Sequence, residues 1–276
     1  MTLPFYLSQP FAWHALLAAT LIAIICGVIG TFVITRGMAF AVHGTSELAF
    51  TGAAAGLLIA SNPIAGAFGG AIVVATVLGI LGVKERERDT TIGVILAFGL
   101  GIGVLLLGYY HGFATQATNI LFGNIFGVSN GQLFVLLGVG LLVLLAISVI
   151  YRPLLFASVD PEVASARGVP VKLLSIVFLY ILALTVTAAA QIVGTLLVLS
   201  LAITPAAAAI RLATKPRSVV LLSVLFALLA SVGGIILSLA SNTLKPSVCV
   251  TTISFGLYVF ARLYGKKTPT RTPKIL

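Results

Sequence analysis

The sequence predicts an all-α membrane protein built as one bundle of about eight or nine transmembrane helices. Hydrophobic residues make up 60% of its 276 positions, and charged residues only 8%. The charges are gathered into short clusters, and the apolar stretches between them run for about 15–25 residues, which is long enough for a helix to cross a bilayer. A chain with so much apolar surface would aggregate in water unless lipid covered it.

The apolar stretches define nine candidate spans, and polar or Gly/Pro-containing connections separate them. The spans cover about residues 11–35, 47–60, 64–83, 92–110, 132–151, 173–189, 193–212, 219–239 and 247–263. An alternative is eight spans plus a re-entrant or interfacial helix in the more polar stretch 111–130. We expect residues 1–264 to form a single transmembrane domain and residues 265–276 to form a basic, disordered cytoplasmic tail.

The positions of Lys and Arg predict that the N-terminus lies outside and the C-terminus in the cytoplasm, because cytoplasmic loops are enriched in these residues. With nine spans, this orientation places every Lys and Arg inside except Lys245. The net charge of +10 therefore reflects membrane topology. No basic stripe with interleaved aromatic residues is present, so we expect no nucleic-acid partner. Cys26 and Cys249 lie in apolar stretches and are expected to be small buried side chains.

The connection after the fifth span contains a predicted short helix at about 160–167. Residues 156–170 read FASVDPEVASARGVP. Asp160 is a typical N-cap, Pro161 suits the first turn, and Gly168 suits the C-terminal end. The predicted orientation places this helix in the cytoplasm. It is either a simple connector or a docking helix for a cytoplasmic partner.

This connection and three further motifs resemble the ABC-3 family of metal-type ABC importer permeases. The family pattern for the connection is close to F-D-P-E-x-A-x-A-x-G-V-P. Residues 89–93, DTTIG, resemble the family's D-T-A-I-G, and residues 121–129, LFGNIFGVS, resemble L-F-G-x-I-L-x-V-S. VGTLLV at 193–198, followed by TPAA at 204–207, resembles V-G-T-L-L-V and a later P-A-A. Four motifs in the right order, over about residues 30–212, make the resemblance specific.

The resemblance implies the permease subunit of a bacterial importer, a multi-pass protein of the inner membrane with a fold like that of type II ABC importers. Such a permease works as a homodimer, with cytoplasmic ABC ATPase subunits and an extracellular or periplasmic metal-binding protein. The transported ion would be zinc or manganese, as is usual in the family, or iron, as in some members, and no cofactor would be bound permanently. The chain lacks a G-x-x-x-x-G-K-[ST] phosphate loop, so it is not expected to be an enzyme, and ATP would bind the partner subunit.

The resemblance also assigns the helix at 160–167 to ATPase coupling. The residues that match this part of the family pattern, or flank it, are Asp160, Pro161, Glu162, Ala164, Arg167 and Gly168.

Three positions depart from the family pattern and leave the choice of metal open. Residues 46–54, SELAFTGAA, match a pattern that commonly reads S-H-x-x-x-x-G-x-A, so Glu47 stands at the usual histidine. Gln116 aligns with an acidic loop residue. Asn242 aligns with the acid of S-x-x-x-D-x-P, and the proline is delayed to Pro246.

Three side chains are candidate metal ligands. Glu47 is the acid expected to lie well inside a span, where an ionisable group usually faces a cavity or a partner. The alternative is that Glu47 caps the second helix at the cytoplasmic interface. His43 precedes it by one helical turn, and together they offer the oxygen and nitrogen ligands that suit Zn or Mn. The alternative for His43 is a position in a water-exposed loop. The alternative for His14, at the outer end of the first span, is an ordinary interfacial histidine.

Four other residues are candidates for the pathway or its gate. Thr204 and Pro205 are expected to break the seventh span in its middle, where freed carbonyl groups need partners or a cavity. A simple packing kink is the alternative. Gln191 and Asn242 are polar groups at the outer ends of spans.

Other functions agree with the apolar composition but explain fewer of the sequence motifs. A permease for a metal chelate, such as a siderophore or cobalamin, would keep the same fold. An ion-driven secondary transporter would predict inverted repeats with paired broken helices, and no clear repeat is visible. A membrane-embedded enzyme would need a catalytic constellation, and no Ser/His/Asp set or H-E-x-x-H motif lies in a span.

Overall fold

The computed structural model describes residues 9–81, 85–110, 123–241 and 244–265, and throughout these ranges the regular structure is helical. Nine helices there have 18 residues or more, and a one-turn 3₁₀ helix, Ile125–Gly127, precedes the fifth of them. In chain order the helices are α1 (Pro10–Thr35), α2 (Ala39–Ala60), α3 (Pro63–Leu81), α4 (Glu85–Gly108), α5 (Asn130–Val159), the short α6 (Pro161–Ala166), α7 (Val171–Val193), α8 (Thr195–Leu212), α9 (Pro216–Ala240) and α10 (Pro246–Tyr264).

Each predicted span overlaps one long helix, which confirms the predicted all-α membrane bundle. Within the described ranges, seven helices are long and apolar enough to cross a membrane, namely α1, α3, α4, α5, α7, α9 and α10. The other two differ for visible reasons. Helix α2 has a run of polar side chains in its first half, and the apolar part of α8 covers only Leu197–Leu212. Most of the stretch predicted to be re-entrant, and all but the first residue of the predicted tail, lie outside the described residues.

The start of the second span was predicted wrongly. Helix α2 begins at Ala39, two turns before the predicted start at residue 47. Gly37, with φ of 61°, turns the chain sharply after α1, and α2 follows two residues later. Glu47 therefore lies about 12 Å along α2 from its first residue. The alternative that Glu47 caps this helix does not hold.

Helices α1 and α7 form the centre of the bundle. The most apolar stretch of α1 is 67% buried and that of α7 is 61% buried, whereas the other five spanning helices reach at most 39%. Helix α1 packs against α5, α8 and α9, and α7 packs against α3, α5 and α8. Helix α2 lies between α3 and α4 and also touches α7 and α8. Each element that carries a candidate site residue is therefore anchored to this centre or to a helix beside it.

Helices α2 and α3 touch through glycines. A Cβ atom added at Gly66 would lie 2.5 Å from the Cα atom of Gly56 and 2.4 Å from the carbonyl oxygen of Gly52. A Cβ atom at Gly70 would lie 2.7 Å from the Cα atom of Gly52. Small residues four apart on facing helices let membrane helices approach to backbone contact. This contact fixes the position of α2, the helix that carries Glu47.

Replacement of Gly66 by Ala should destabilise the protein. The new methyl group meets backbone atoms that cannot rotate away, and overpacking of this kind costs about 1–3 kcal/mol. We expect a lower melting temperature of the detergent-solubilised protein. Gly69→Ala is the matched control, because nothing lies within 4 Å of a Cβ atom at Gly69. Equal melting temperatures for the two variants would show that α2 and α3 do not touch in this way.

Candidate functional site

Glu47 is a buried acidic residue in the first half of α2. Its side chain is 9% exposed, and Thr45 and Ser46 beside it are also buried. No hydrogen bond or ion pair joins its carboxyl group to another described residue. The hydroxyl groups of Thr45 and Ser46 donate to the carbonyl oxygens of Ala41 and His43, at 2.7 and 2.9 Å, so they do not serve Glu47 either. A buried acidic group without a partner among the described residues is costly, which marks Glu47 as a functional candidate.

The face of α2 beside Glu47 packs against α4. Thr51, one turn after Glu47, donates to the carbonyl oxygen of Gly99 at 2.8 Å. Gly44, just under one turn before Glu47, would place a Cβ atom 2.6 Å from a methyl carbon of Ile92. Side chains three and four residues apart on a helix are neighbours, so Glu47 lies at the edge of this seam between α2 and α4.

The three predicted metal ligands are only partly brought together. His43 is half-buried on α2, with its ring 6.1 Å from that of Phe40, and it lies one turn from Glu47. His14 lies near the start of α1, and Arg36 ends that helix just before α2 begins. His14 therefore lies near the opposite end of α1 from the corner at which α2 begins, about 30 Å along the helix. Within the described ranges, no three His, Cys, Asp or Glu side chains form a metal-binding group.

Pro205 does not break α8. The helix runs from Thr195 to Leu212 with Pro205 inside it, so the predicted break was wrong. Proline removes one helical hydrogen bond, that to the carbonyl of Leu201, but the surrounding packing holds the helix together. A Cβ atom at Gly30 of α1 would meet the Ala202 carbonyl oxygen at 2.2 Å, so α8 lies directly on α1 at this level. Pro205 is buried and Thr204 is half-buried.

The real interruption of this part of the chain is at Gly194. This residue alone separates α7 from α8, and it adopts φ of 86° and ψ of 157°, a conformation open essentially only to glycine. The Asn124 amide donates to the Ile192 carbonyl oxygen at 3.1 Å, and Gly123 packs against the Gly194 backbone. The described part of the motif LFGNIFGVS, through Gly123 and Asn124, therefore touches the start of VGTLLV, which is far from it in sequence.

Of the two remaining gate candidates, Gln191 and Asn242, the first lies within the described residues. Gln191 is half-buried near the end of α7, beside a shallow depression that Phe68 of α3 and Gln132 of α5 also line. Asn242 lies outside the described residues.

Helix α6 has the predicted position and ends. The Asp160 carboxyl group accepts from the Val163 amide at 3.1 Å, Pro161 is the first helical residue, and Gly168 has φ of 80°. Ala164 is the one residue of this helix that is buried, and the helix packs mainly on α5 and α7. Glu162 and Arg167 are exposed. The helix is thus anchored to the bundle through the buried Ala164 side chain, and its other residues are exposed.

Sequence reasoning assigned no local role to Arg36, which was counted only as a marker of orientation. In the structure its guanidinium group donates to Ser158 and Ser175, which are 122 and 139 residues away. No local pattern connects residues so distant, so the sequence carries no signal of this contact.

Comparison with known proteins assigns the chain to a family. The ABC 3 transport family matches it over residues 8–265. The chain belongs to the ABC 3 transport family. Among similar proteins, the "Manganese transport system membrane protein MntC" of Halalkalibacterium halodurans is 34% identical over 262 residues, which cover 95% of this chain and 89% of that protein. The "High-affinity zinc uptake system membrane protein ZnuB" of Haemophilus influenzae is 31% identical, over 90% of this chain and 96% of that protein.

A solved structure shares the architecture of this ABC 3 family member. It is PsaBC from Streptococcus pneumoniae in complex with Fab, which superposes with a TM-score of 0.83 at 29% identity and covers 94% of each chain. The resemblance inferred from the four motifs is confirmed, and so is the predicted membrane bundle of the ABC importer type.

Proposed function

We propose that this chain is the permease subunit that carries manganese or zinc through the bacterial inner membrane. The observation that supports the proposal most strongly is the match to the ABC 3 transport family from residue 8 to residue 265, which covers every described helix of the bundle. Relatives of similar length are named for manganese transport and for zinc uptake. The ion is the substrate, and no permanent cofactor is proposed.

The orientation of the chain in the membrane follows from the positions of its Lys and Arg residues. The N-terminus lies outside and the C-terminus in the cytoplasm, because this orientation gathers Lys and Arg on the cytoplasmic side. Helix α6 then lies in the cytoplasm, as a docking element requires. The exposed apolar side chains of α5, such as Phe134, Leu141, Leu145 and Val149, fall on one face of the helix and suit contact with lipid.

The energy for transport comes from a partner protein. The chain has no phosphate-binding loop of its own, so separate cytoplasmic ABC ATPase subunits bind and hydrolyse ATP. An extracellular or periplasmic metal-binding protein delivers the ion. Two permease copies form a homodimer, and the pathway runs between them. Glu47, which is buried and has no partner among the described residues, and the neighbouring His43 provide weak, exchangeable ligands along this route. Weak binding suits transport, because a tightly held ion would not leave.

Purification of the membrane complex tests this composition. We expect the chain, co-expressed with the ATPase of its own transport system, to purify with it in equal amounts. The mass of the complex in detergent should correspond to two permease and two ATPase chains. A permease that transports as a single copy, or without any ATPase, would contradict the proposal.

A further inference from the structure

Arg36 occupies the corner between α1 and α2. It is the C-cap residue of α1, and its amide donates to the Phe32 carbonyl oxygen at 2.9 Å. Helix α2 begins three residues later and carries Glu47. A displacement of Arg36 would therefore also displace α2, the helix that carries the candidate metal ligands His43 and Glu47.

The Arg36 side chain joins the two helices on which α6 stands. One guanidinium nitrogen, Nη1, donates to the Ser158 hydroxyl at 3.3 Å, and Nη2 donates to the Ser175 hydroxyl. Ser158 lies in the last turn of α5, two residues before the N-cap of α6. Ser175 lies in the first two turns of α7, which follows α6. The guanidinium also stacks over the Phe178 ring, 5.6 Å from its centre.

The two serine hydroxyl groups are oriented to accept hydrogen bonds from Arg36. The Ser158 hydroxyl donates to the Leu154 carbonyl oxygen at 2.6 Å, and the Ser175 hydroxyl donates to the Val171 carbonyl oxygen at 2.9 Å. A hydroxyl has one proton and two acceptor sites. With each proton committed to its own helix, the oxygen presents acceptors to Arg36, whose planar fork suits two acceptors at once.

A cavity of about 460 Å³ lies beside this contact. Its walls include Arg36, both serines, Pro161 of α6, and apolar side chains such as Leu78 and Ile92. Because this space is not filled by side chains, we expect the adjoining ends of α5 and α7 to be able to shift together with α6 without repacking of the core. The polar contact through Arg36 would then carry the shift to α1 and α2.

We propose that Arg36 is a positioning residue that couples the movement of α6 to the movement of α2. This inference rests on the proposed function, in which α6 docks on the ATPase. The ATPase displaces α6, the attached ends of α5 and α7 move with it, and the hydrogen bonds of Arg36 to Ser158 and Ser175 transmit the displacement to the corner between α1 and α2.

The test uses the complete transporter in proteoliposomes and measures manganese transported per ATP hydrolysed. Arg36→Met should lower this ratio about tenfold, within the usual range of coupling between sites, while ATP hydrolysis without the metal-binding protein stays near the wild-type rate. Arg152→Met is the matched control, since it removes an exposed arginine from the same end of α5 and should leave the ratio unchanged.

Two serine variants separate coupling from simple packing. Ser158→Ala with Ser175→Ala leaves Arg36 in place and removes these two hydroxyl acceptors, and it should reproduce the loss. Ser158→Thr with Ser175→Thr keeps both hydroxyl groups and should restore the ratio. Arg36→Met added to the double alanine variant should lower it no further, because the residues act as one unit.

Three results would overturn the proposal. They are an unchanged ratio in the double alanine variant, a threonine variant as impaired as the alanine variant, or additive losses when all three changes are combined. If wild-type complex moves no metal at all, it is the proposed function that has failed, and that outcome is distinct because no ratio exists to be altered.

Discussion

Glu47→Gln should abolish most metal uptake and leave the protein as stable as the wild type, or more so. The glutamine keeps the shape of the side chain and removes its ability to ionise. Changes to the groups that merely support a metal ligand cost roughly 10–100-fold in affinity, so loss of the ligand itself should lower uptake by at least about tenfold. Stability should not fall, because no described hydrogen bond or ion pair of Glu47 is lost.

The combination of lost uptake and retained stability is what distinguishes a functional residue from a structural one. We would measure manganese and zinc uptake in cells together with the amount and melting temperature of the purified protein. Glu47→Asp, which keeps the acid but shortens its reach, should retain part of the uptake. Asp89→Asn is the matched control, because it removes an acid from an exposed position at the start of α4. Wild-type uptake by Glu47→Gln would move the metal site elsewhere, towards Thr204 and Pro205.

Alanine at both Glu162 and Arg167 should uncouple ATP hydrolysis from transport. Both side chains are exposed on α6, which is anchored to the bundle through Ala164, so their loss leaves the permease folded. We expect transport to fall about tenfold, as is typical for lost coupling between two sites. ATP hydrolysis by the co-purified ATPase should continue.

The measurement is the rate of metal transport set against the rate of ATP hydrolysis in proteoliposomes. Lys245→Ala is the control, since this exposed residue lies on the opposite side of the membrane in the proposed orientation. Unchanged coupling in the double variant would reduce α6 to a simple connector between α5 and α7.

Local patterns in the sequence predicted most of the fold. The length of the apolar stretches fixed the number and type of the long helices, and Asp160, Pro161 and Gly168 predicted both ends of α6. Such features depend on neighbouring residues alone. The start of α2 was missed because the polar residues before Glu47 were read as a loop, although they continue a helix that begins directly after the turn at Gly37.

Contacts between distant segments could not be predicted in the same way. Pro205 was expected to interrupt α8, but packing against α1 keeps the helix whole, and Gly194 makes the interruption instead. The contact of Arg36 with Ser158 and Ser175 arises only when α1, α5 and α7 meet. The candidate site could be predicted only in part, because it too depends on how distant segments are arranged. His43 and Glu47 are one turn apart on one helix, whereas the position of His14 depends on the whole length of α1.

ATP-driven accumulation of metal in proteoliposomes is the most direct test of the proposed function. The vesicles would contain the permease and its ATPase, with the ATPase facing the lumen. ATP would be enclosed in the lumen. The metal-binding protein, loaded with manganese or zinc, would be added outside. We predict accumulation of the ion that requires ATP, the binding protein and Glu47 together. Accumulation driven by an ion gradient in the absence of ATP, or no movement of either metal under any of these conditions, would contradict it.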